Sequence, residues 1–393
     1  MPSPAVWIAL MPLLAQSPVL RVVHAQPSWI LSNDQVELAV TELGGHMAPV
    51  TFFRGDGPVQ PYHVSPWQDE KLAIDNPVLV PLRGDFFCLP FGGGKEPDGR
   101  EHPPHGEAAT SRWTLGGVAK AGTVTTLTAT LETKMRTGTI TKRLMLVDGE
   151  NAVYSEHTVE GFAGPATPGH HATLRLPAKE GAFRVASSAF VHGTTHPELF
   201  SDPEAREYQA LAIGAAFKDL TQVPLRFKDA RTNADLTRFP ARHGYADLLA
   251  IYKKPAASPA WMAAVNTEEG YIWYSLKDAA VLPATVFWVE NGGRHAAPWS
   301  GRNRCLGLED VRWYFNQSHA PNPVTKLGIP TSMKFGGASP VRIRYIQGVA
   351  KAPAGFEAVK TVEFGAGTIT IVGTKGERVR VPVRHGFLAS GAL

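Results

Sequence analysis

The sequence predicts an all-β protein built from large antiparallel sheets. Runs of strand-forming residues with alternating polar and apolar character recur along the chain, as in VTTLTATLETKM at Val124–Met135. Gly and Pro account for 38 and 32 of the 393 residues and are spread throughout, which is typical of short strands joined by tight turns. Because the chain has no exact internal repeat and no long linker, we expect a single domain over residues 26–393.

The predicted strands account for most of the chain, and Asp148-Gly149 between two β-branched runs indicates a hairpin. In chain order, the expected strand segments are Ser28–Leu43, Val124–Met135, Thr137–Val147, Asn151–Val159, His171–Leu176, Ala246–Tyr252, Trp261–Asn266, Tyr271–Leu276, Ala284–Glu290, Arg342–Val349, Thr361–Val372 and Arg378–Arg384. One helix is predicted at Asp202–Ala216, where Ser201 can cap the first turn. The overlapping segment Tyr208–Phe217 also fits a buried strand.

The first 25 residues have the features of an export signal. Ala5–Ala15 is an apolar run of suitable length, and Val23-His24-Ala25 resembles a cleavage site. We therefore expect a periplasmic or extracellular protein, the alternative being an N-terminal extension on a cytoplasmic one. No run reaches the roughly 18 apolar residues that a membrane-spanning helix needs, so no membrane span is expected.

Charge and cysteine usage narrow the classes of ligand. Lys and Arg total 39 against 35 acidic residues, and no run of five like charges occurs, so nucleic acid is not an expected partner. This balance permits a neutral substrate. Cys88 and Cys305 lie in apolar runs and outside any metal-type cluster, which favours buried free thiols while leaving a disulfide open.

A first cluster of site-type residues lies between Asn76 and Trp113. His105 follows two prolines and precedes Gly106, an arrangement that holds the backbone rigid and lets a ligand approach closely. A single loop histidine is more often an ordinary surface residue. Arg83 could pair with Asp85, or could present its guanidinium fork to hydroxyl groups.

A second cluster contains His170 and His171. Adjacent residues of a strand face opposite ways, which argues against a metal site made by this pair, and no metal is expected. One of the two rings could point into a pocket and donate a proton near neutral pH. The alternative is that both lie at the surface or at a strand edge.

The third cluster spans Trp288–Asp310. Its aromatic and polar side chains suit a sugar, because indole faces stack on the C–H faces of sugar rings and carboxylates or guanidinium groups meet the hydroxyl edges. The cluster comprises Trp288, Glu290, Asn291, Arg294, His295, Trp299, Arg302, Arg304, Glu309 and Asp310. Glu309 follows an apolar Leu-Gly-Leu run, so partial desolvation would make it a stronger base. Core packing of the tryptophans, and an ion pair of Glu309 with Arg302 or Arg304, are the structural alternatives.

Taken in order, these clusters resemble the aldose 1-epimerase (galactose mutarotase-like) superfamily from about residue 28 to 310. The matching segments are Leu43-Gly44-Gly45-His46, Arg83-Gly84-Asp85, Pro104-His105-Gly106-Glu107 with Arg112-Trp113, His171-Ala172-Thr173-Leu174-Arg175-Leu176, and Gly301-Arg302 with Gly307-Leu308-Glu309. The resemblance implies a β-supersandwich whose site lies in a concave sheet face. It also implies that a monosaccharide or glycan end is bound and that anomers are interconverted without a metal or cofactor.

The same resemblance implies roles for individual residues. His171 is the expected acid and Glu309 the expected base, and His105 would orient hydroxyls near the ring oxygen. Arg83, Asp247, Trp288, Glu290 and Arg302 are the expected substrate contacts.

Some positions depart from the family pattern. Thr173 and Leu174 stand where aromatic residues usually follow the acid histidine, His170 replaces an Asn, and Asp310 stands where a Pro commonly follows the base. These changes leave the expected acid and base in place, and they leave open whether the substrate is the usual free galactose or glucose or another sugar. Two competing hypotheses are a carbohydrate-binding protein without catalysis and a polysaccharide lyase or hydrolase on the same scaffold. The oligomeric state is left open.

Overall fold

A computed structural model describes residues 14–16, 19–93, 99–227 and 232–393. Strands dominate this part of the chain, with two short α-helices, α1 (Gly106–Thr110) and α2 (Phe387–Ser390), and two 3₁₀ turns, Pro77–Leu79 and Thr325–Leu327. The predicted all-β class is therefore confirmed. None of the helices among the described residues has the length and apolar character needed to cross a membrane.

The strands are numbered in chain order. They are β1 (Leu14–Gln16), β2 (Val19–Val23), β3 (Gln26–Ser32), β4 (Glu37–Thr41), β5 (Met47–Thr51), β6 (Phe87–Cys88), β7 (Thr114–Ala121), β8 (Val124–Thr133), β9 (Gly138–Val147), β10 (Ala152–Glu160), β11 (Gly164–Ala166), β12 (Gly169–His170), β13 (Thr173–Arg175), β14 (Phe183–Ser187), β15 (His192–Thr195), β16 (Ala216–Phe217), β17 (Val223–Pro224), β18 (Asn233–Ala234), β19 (Arg238–Phe239), β20 (Tyr245–Tyr252), β21 (Ala260–Asn266), β22 (Tyr271–Lys277), β23 (Ala284–Asn291), β24 (Arg304–Val311), β25 (Met333–Phe335), β26 (Val341–Lys351), β27 (Val359–Gly365), β28 (Thr368–Gly373) and β29 (Arg378–Pro382).

Two large antiparallel sheets form the body of the structure. One has ten strands in the order β1-β7-β8-β9-β10-β26-β22-β21-β14-β19, and the other has eight in the order β16-β15-β20-β23-β24-β12-β6, with β13 pairing beside β12 on β24. Apolar side chains from both sheets, such as Trp273 and Tyr345 on one and Phe287 and Leu308 on the other, pack in one buried cluster. Face-to-face packing of this kind defines a β-sandwich.

Smaller sheets cover the margins. Strands β2 to β5 form a four-stranded sheet, and β27 to β29 form a three-stranded sheet near the C-terminus. Ile369 and Ile371 of β28 share a buried apolar cluster with Ile272 and Tyr274 of β22. The three-stranded sheet therefore covers the outer face of the ten-stranded sheet.

The eight-stranded sheet determines where the site lies. Leu306 and Leu308 of β24 belong to the core between the sheets, whereas Cys305 and Val311 belong to an apolar cluster on the opposite face. Because successive strand residues alternate between faces, Glu309 projects from that outer face. The cavity described below lies there.

The helix predicted at Asp202–Ala216 is wrong. The chain makes a turn after Asp202 and runs without helical hydrogen bonds to the short strand Ala216–Phe217, so the alternative strand is confirmed only at its end. The physical reason is a long-range acceptor: the backbone N–H groups of Ala210 and Leu211 donate to the Asp247 carboxylate at 3.0 and 2.8 Å. The Asp247 carboxylate, from a distant strand, thus accepts the backbone hydrogen bonds that carbonyl groups would accept in a helix.

Both cysteines are free and buried, which agrees with the interpretation as thiols. The predicted hairpin at Asp148-Gly149 joins β9 and β10 in antiparallel register, and Gly149 has the positive φ of 80° that such a turn requires. Most of the segment interpreted as an export signal lies outside the described residues. Its described part contains Leu14–Gln16 and Val19–Val23, which pair with β7 and β3 respectively.

Candidate active site

A cavity of about 410 Å³ opens on the outer face of the eight-stranded sheet. Its walls come from five parts of the chain: the loop around Pro77–Leu79, the loop around His105, strand β24 with its neighbours, the segment after β15, and the segment around Trp299. The side chains used in the argument below are His105, His171, His196, Glu198, Trp288, Arg294, Trp299, Glu309 and Trp313. This volume lies within the usual range for small-molecule sites.

A carboxylate and an imidazole meet at the floor of this cavity. Glu309 Oε1 lies 3.1 Å from His171 Nε2, and both side chains are almost fully buried. These two atoms are close but are not aligned for a hydrogen bond, since Glu309 Oε1 has no hydrogen-bond partner among the described residues. An oxygen with unfilled acceptor capacity therefore points at the space that a ligand hydroxyl would enter.

Burial shifts both groups toward their uncharged forms. It raises the pKa of Glu309 well above 4.5, with a further contribution from the neighbouring Asp310. It also lowers the pKa of His171 well below 6.5, assisted by His105. Desolvation penalises whichever form carries charge, so the pair favours a single shared proton near neutral pH.

Packing holds the His171 ring in place. Phe86 stacks on it with ring centroids 4.5 Å apart, and the other face of Phe86 stacks on His46 at 3.9 Å. His171 Nδ1 lies 3.1 Å from the Thr173 hydroxyl. Thr173, which departs from the family pattern, thus supplies a polar partner that leaves Nε2 directed at Glu309.

His105 presents a fixed tautomer to the same cavity. Its Nδ1 accepts a 3.4 Å hydrogen bond from Gly92 N–H and lies 3.6 Å from Cys88 Sγ, so the neutral ring carries its hydrogen on Nε2. Burial lowers the pKa of His105 to about 4, which keeps the ring neutral at pH 7. Its ring centroid is 4.8 Å from that of His171.

The backbone beside His105 requires glycine. Gly106 has a φ of 76°, and a Cβ at this position would overlap the carbonyl of Leu89. His105 itself has a positive φ of 64°. The Pro-Pro-His-Gly run therefore encodes a close approach of two backbone segments at Gly106, where the sequence had indicated close approach of a ligand.

Aromatic rings form the side wall. Trp288 lies edge-on to His171 at 5.6 Å, and Trp299 lies edge-on to Trp288 at 5.9 Å. Farther along this wall, the Arg294 guanidinium lies 4.9 Å from the Trp299 ring and 4.8 Å from the Phe200 ring. The wall therefore runs from the Glu309–His171 pair to a stacked cation.

Among the predicted site residues, the structure brings His171, Glu309, His105 and Trp288 together in the cavity. The prediction that His170 and His171 face opposite ways is confirmed. His170 points into the core, where its Nδ1 lies 2.9 Å from Asp85 Oδ2 and its ring stacks on Tyr345 at 4.4 Å.

Arg83 is not positioned as a substrate contact. Its guanidinium donates to the carbonyls of Pro81, Val23 and His24 at 3.1, 2.8 and 2.9 Å, and also to the Gln68 side chain. Four of its five N–H donors are thereby used inside the protein. The suggested ion pair with Asp85 is also absent, because that carboxylate contacts His170.

Three further predicted contacts lie outside the cavity. Asp247 projects from the opposite face of β20 to the cavity-lining Leu248 and borders a separate cavity. Glu290 is buried behind the wall, where it accepts a 2.9 Å bond from Gly293 N–H. Arg302 forms a two-pronged pair with Glu70 near the surface, with Nη2 2.6 Å from Oε2. Strand alternation explains why Asp247 faces away from the cavity. Glu290 is held by Gly293 at a turn, and Arg302 is held by Glu70, which is remote in the sequence.

Several lining residues were not singled out as site residues from the sequence. Trp299 and Arg294 lie in the third cluster, and stacking potential beside Trp288 was the available signal. Trp313 follows β24, while His196 and Glu198 follow β15. Nothing local marked His196 and Glu198, because only the sheet order brings the segment after β15 toward β24, whereas Trp313 is adjacent to β24 in the chain.

Comparisons with known proteins agree on the fold. No family model and no curated protein sequence matches this chain. Solved structures do match over most of their length. A galactose mutarotase-like protein from Clostridium acetobutylicum is 9% identical, with 86% of this chain and 99% of that chain covered and a TM-score of 0.59.

Two further solved structures match this chain to a similar extent. A candidate aldose 1-epimerase from Klebsiella pneumoniae is 12% identical, with 88% of each chain covered and a TM-score of 0.57. A candidate mutarotase from Salmonella typhimurium is 14% identical, with 87% of this chain and 97% of that chain covered and a TM-score of 0.56. This chain has the galactose mutarotase-like fold. The galactose mutarotase-like architecture expected from the ordered motifs is thus confirmed at the level of fold.

Proposed function

We propose that the protein is an aldose 1-epimerase-type isomerase, which interconverts the anomers of a sugar. The observation that carries this proposal is the 3.1 Å approach of Glu309 and His171 at the floor of a sugar-sized cavity. Anomer interconversion needs a base for the anomeric hydroxyl and an acid for the ring oxygen. These two oxygens are bonded to the same carbon, so the acid and base must also be close neighbours.

The proton sequence uses the shared proton of this pair. Transfer of that proton from Glu309 to His171 leaves a carboxylate base and an imidazolium acid. Glu309 then removes the proton of the anomeric hydroxyl O1 while His171 Nε2 protonates the ring oxygen. The bond from C1 to the ring oxygen breaks and a C1=O1 aldehyde forms.

The second half of the reaction reverses these transfers. After rotation about C1–C2, the former ring hydroxyl attacks the other face of the aldehyde. His171 takes the proton of that hydroxyl, and Glu309 returns its proton to O1. Return of the shared proton from His171 to Glu309 then restores both groups to their starting state, and the sequence involves no oxidation, reduction or bound cofactor.

His105 and Trp288 have supporting roles in this proposal. The Nε2–H of neutral His105 donates to a sugar oxygen near the ring oxygen, where it orients the substrate without competing for the shared proton. Trp288 offers an apolar edge beside His171. The galactose mutarotase-like fold supports the same activity, since solved proteins with this fold include a mutarotase candidate and an aldose 1-epimerase candidate.

Polarimetry of freshly dissolved α-D-glucose and α-D-galactose in weak buffer tests this function. The wild-type protein should accelerate mutarotation, and Glu309→Gln should reduce the catalysed rate by about 10²–10⁴-fold because one proton-transfer partner is lost. Sugar binding, followed by the fluorescence of the cavity tryptophans, should change by only a few-fold. Glu70→Gln is the matched control, since Glu70 pairs with Arg302 away from the cavity.

Equal turnover in Glu309→Gln and wild type would remove Glu309 from this role. Sugar binding without acceleration by the wild type would instead support a non-catalytic carbohydrate-binding protein.

A further inference from the structure

The cavity wall contains an arginine held in an unusual setting. Arg294 lies between the rings of Phe200 and Trp299, at 4.8 and 4.9 Å, and its side chain is only 14% exposed. Stacking fixes the plane of a guanidinium without using its N–H donors. None of these donors makes a hydrogen bond to a side chain or carbonyl of the described residues, so they remain available to a ligand.

Two carboxylates stand against this guanidinium. Glu207 Oε1 lies 3.5 Å from Arg294 Nε, and Glu290 Oε2 lies 3.7 Å from Arg294 Nη1. Glu290 Oε2 is buried and has no hydrogen-bond partner among the described residues. The two carboxylates therefore offset the charge of Arg294 electrostatically while leaving its donors unoccupied.

The rest of the cavity adds no compensating positive charge within the described part of the chain. Arg294 is the permanently charged cation among the described lining residues, and Glu198 lines the same cavity. Burial lowers the pKa of His105, His171 and His196, so these rings are largely neutral around pH 7. A ligand at Arg294 thus meets hydrogen-bond donors in a field that is not positive.

The position along the wall indicates which end of a sugar would reach this group. His171 contacts Trp288, Trp288 contacts Trp299, and Trp299 contacts Arg294, so the two indole rings connect His171 to Arg294 along one wall of the cavity. With the anomeric carbon beside His171 and Glu309, the part of the ring remote from that carbon lies toward Arg294. This placement rests on the proposed function.

We propose that Arg294 is a specificity-determining contact for uncharged hydroxyl groups at the remote end of the sugar, and that Glu207 and Glu290 exclude sugars carrying phosphate or carboxylate there. The guanidinium donates to hydroxyl oxygens, which any neutral sugar supplies. An anionic substituent would approach Arg294 but would be repelled by two nearby carboxylates. Building repulsion against the wrong ligand is a common source of specificity.

Fluorescence titrations of the full-length protein test this charge selection. The ligands are D-glucose, D-galactose, their 6-phosphates and D-glucuronate, titrated at about pH 8 so that Glu290, whose pKa burial raises to about 7, is ionised. The wild type should bind each neutral sugar at least about tenfold more tightly than its 6-phosphate, and glucose correspondingly more tightly than glucuronate. Arg294→Gln should weaken binding of the neutral sugars by about tenfold.

Removing the carboxylate charges beside Arg294 should increase the affinity for anionic sugars relative to neutral ones. A merely structural role of these carboxylates would not produce this increase. Glu207→Gln and Glu290→Gln should each shift the ratio of anionic to neutral affinity toward the anion by about tenfold. Glu70→Gln should leave this ratio unchanged. Glu207 is partly exposed, so its variant should fold even if the buried Glu290 variant does not.

Tighter binding of a 6-phosphate or of glucuronate by the wild type would overturn the proposal, as would an unchanged ratio in Glu207→Gln. An equal shift in Glu70→Gln would also overturn it, because that shift would be non-local. Neutral-sugar binding without mutarotation would refute the proposed catalytic function while leaving the charge selection intact. Mutarotation of a sugar phosphate in preference to its parent sugar would refute the charge selection while leaving the proposed catalytic function intact. Binding of none of these ligands would refute both proposals.

Discussion

At the scale of single residues, the central feature is a buried carboxylate that faces a buried imidazole. The Glu309 side chain is only 2% exposed, yet its Oε1 has no hydrogen-bond partner among the described residues. Buried polar groups normally find partners, so an exception at a cavity indicates a place kept for a ligand. Asp310, the next residue, shows the contrast because its carboxylate is fully bonded in the core.

The pH dependence of mutarotation should reflect the shared proton. A second proton adds to the pair only below the lowered pKa of His171, which lies well below 6.5. The last proton leaves only above the raised pKa of Glu309. The catalysed rate at about pH 5.5 should therefore stay within about twofold of that at about pH 7. Buffer-corrected polarimetry measures this profile, and an acid limb with an apparent pKa near the ordinary 6.5 would contradict the shared-proton account.

Phe86 stacks on the His171 imidazole, and its neighbour Phe87 supplies a matched control for a positioning role. Phe87 is equally buried but stacks on His157 on the other side of the strand. Phe86→Leu and Phe87→Leu should each lower the free energy of unfolding by about 1–3 kcal/mol. Only Phe86→Leu should reduce kcat, by about tenfold with a small change in KM, because His171 gains freedom. Equal kcat in the two variants, measured by polarimetry, would exclude the positioning role of Phe86.

At the scale of elements, β24 combines two environments in one strand. Glu309 faces the cavity, while Leu308 and Asp310 face the ten-stranded sheet. Gly307 lies opposite Trp288 of the neighbouring strand β23. Because Gly307 has no side chain, it leaves room for the Glu309 carboxylate. A strand glycine is thus used for close approach rather than for a turn.

Gly307→Ala tests this use of space. A Cβ at this position would overlap Glu309 Oε1 and crowd Trp288 Cβ, so the carboxylate must move. We expect kcat/KM to fall by at least about tenfold because of this displacement. Stability should fall by about 1–3 kcal/mol from overpacking. Gly337→Ala, at a position with no neighbour within 4 Å, is the control and should leave polarimetric rates unchanged. Full activity in Gly307→Ala would show that the carboxylate position is not limiting.

At the scale of the whole molecule, polar contacts join the two sheets as well as apolar packing. Asp310 of β24 accepts hydrogen bonds from Ser275 and Tyr345 of the ten-stranded sheet at 2.7 and 2.8 Å. Lys277 Nζ lies 2.5 Å from its other oxygen, which also accepts from Thr285 at 2.6 Å. Burial alone would raise the pKa of Asp310, but Lys277, Lys253 and these hydrogen bonds outweigh it and lower the pKa below 3.8.

Asp310→Asn should strongly destabilise the fold, because it leaves the buried Lys277 ammonium without its carboxylate. We expect a loss of about 3–5 kcal/mol in the free energy of unfolding, measured with urea. The lowered pKa means that the stabilisation by Asp310 is present above pH 3.8, the ordinary pKa, and is lost as pH falls through the folded-state value. The control Glu363→Gln, which removes an exposed partner of Arg378, should cost at most about 1 kcal/mol. A similar small cost for Asp310→Asn would contradict the account.

The sequence by itself determined the features that depend on local periodicity. Alternation along the strands predicted the all-β class and the opposite directions of His170 and His171, and Gly and Pro placed the turns around His105 and Asp148, whereas the sandwich architecture was implied by the family resemblance. Ordered motifs were sufficient to nominate Glu309, His171, His105 and Trp288, which the fold brings to one cavity. The first group of inferences uses neighbours within a few residues, and the nomination of the site residues uses the order of short motifs along the chain.

Only the tertiary structure decided which long side chains have free donors and which are already bonded. Arg83 looked available, but carbonyls from Val23 and His24 occupy it, whereas Arg294 is stacked and keeps its donors unbonded. Likewise Asp247 bonds to the segment expected to be a helix. The physical reason is that hydrogen-bond partners and cavity walls come from strands adjacent in the sheet and distant in the chain, which no local pattern can specify.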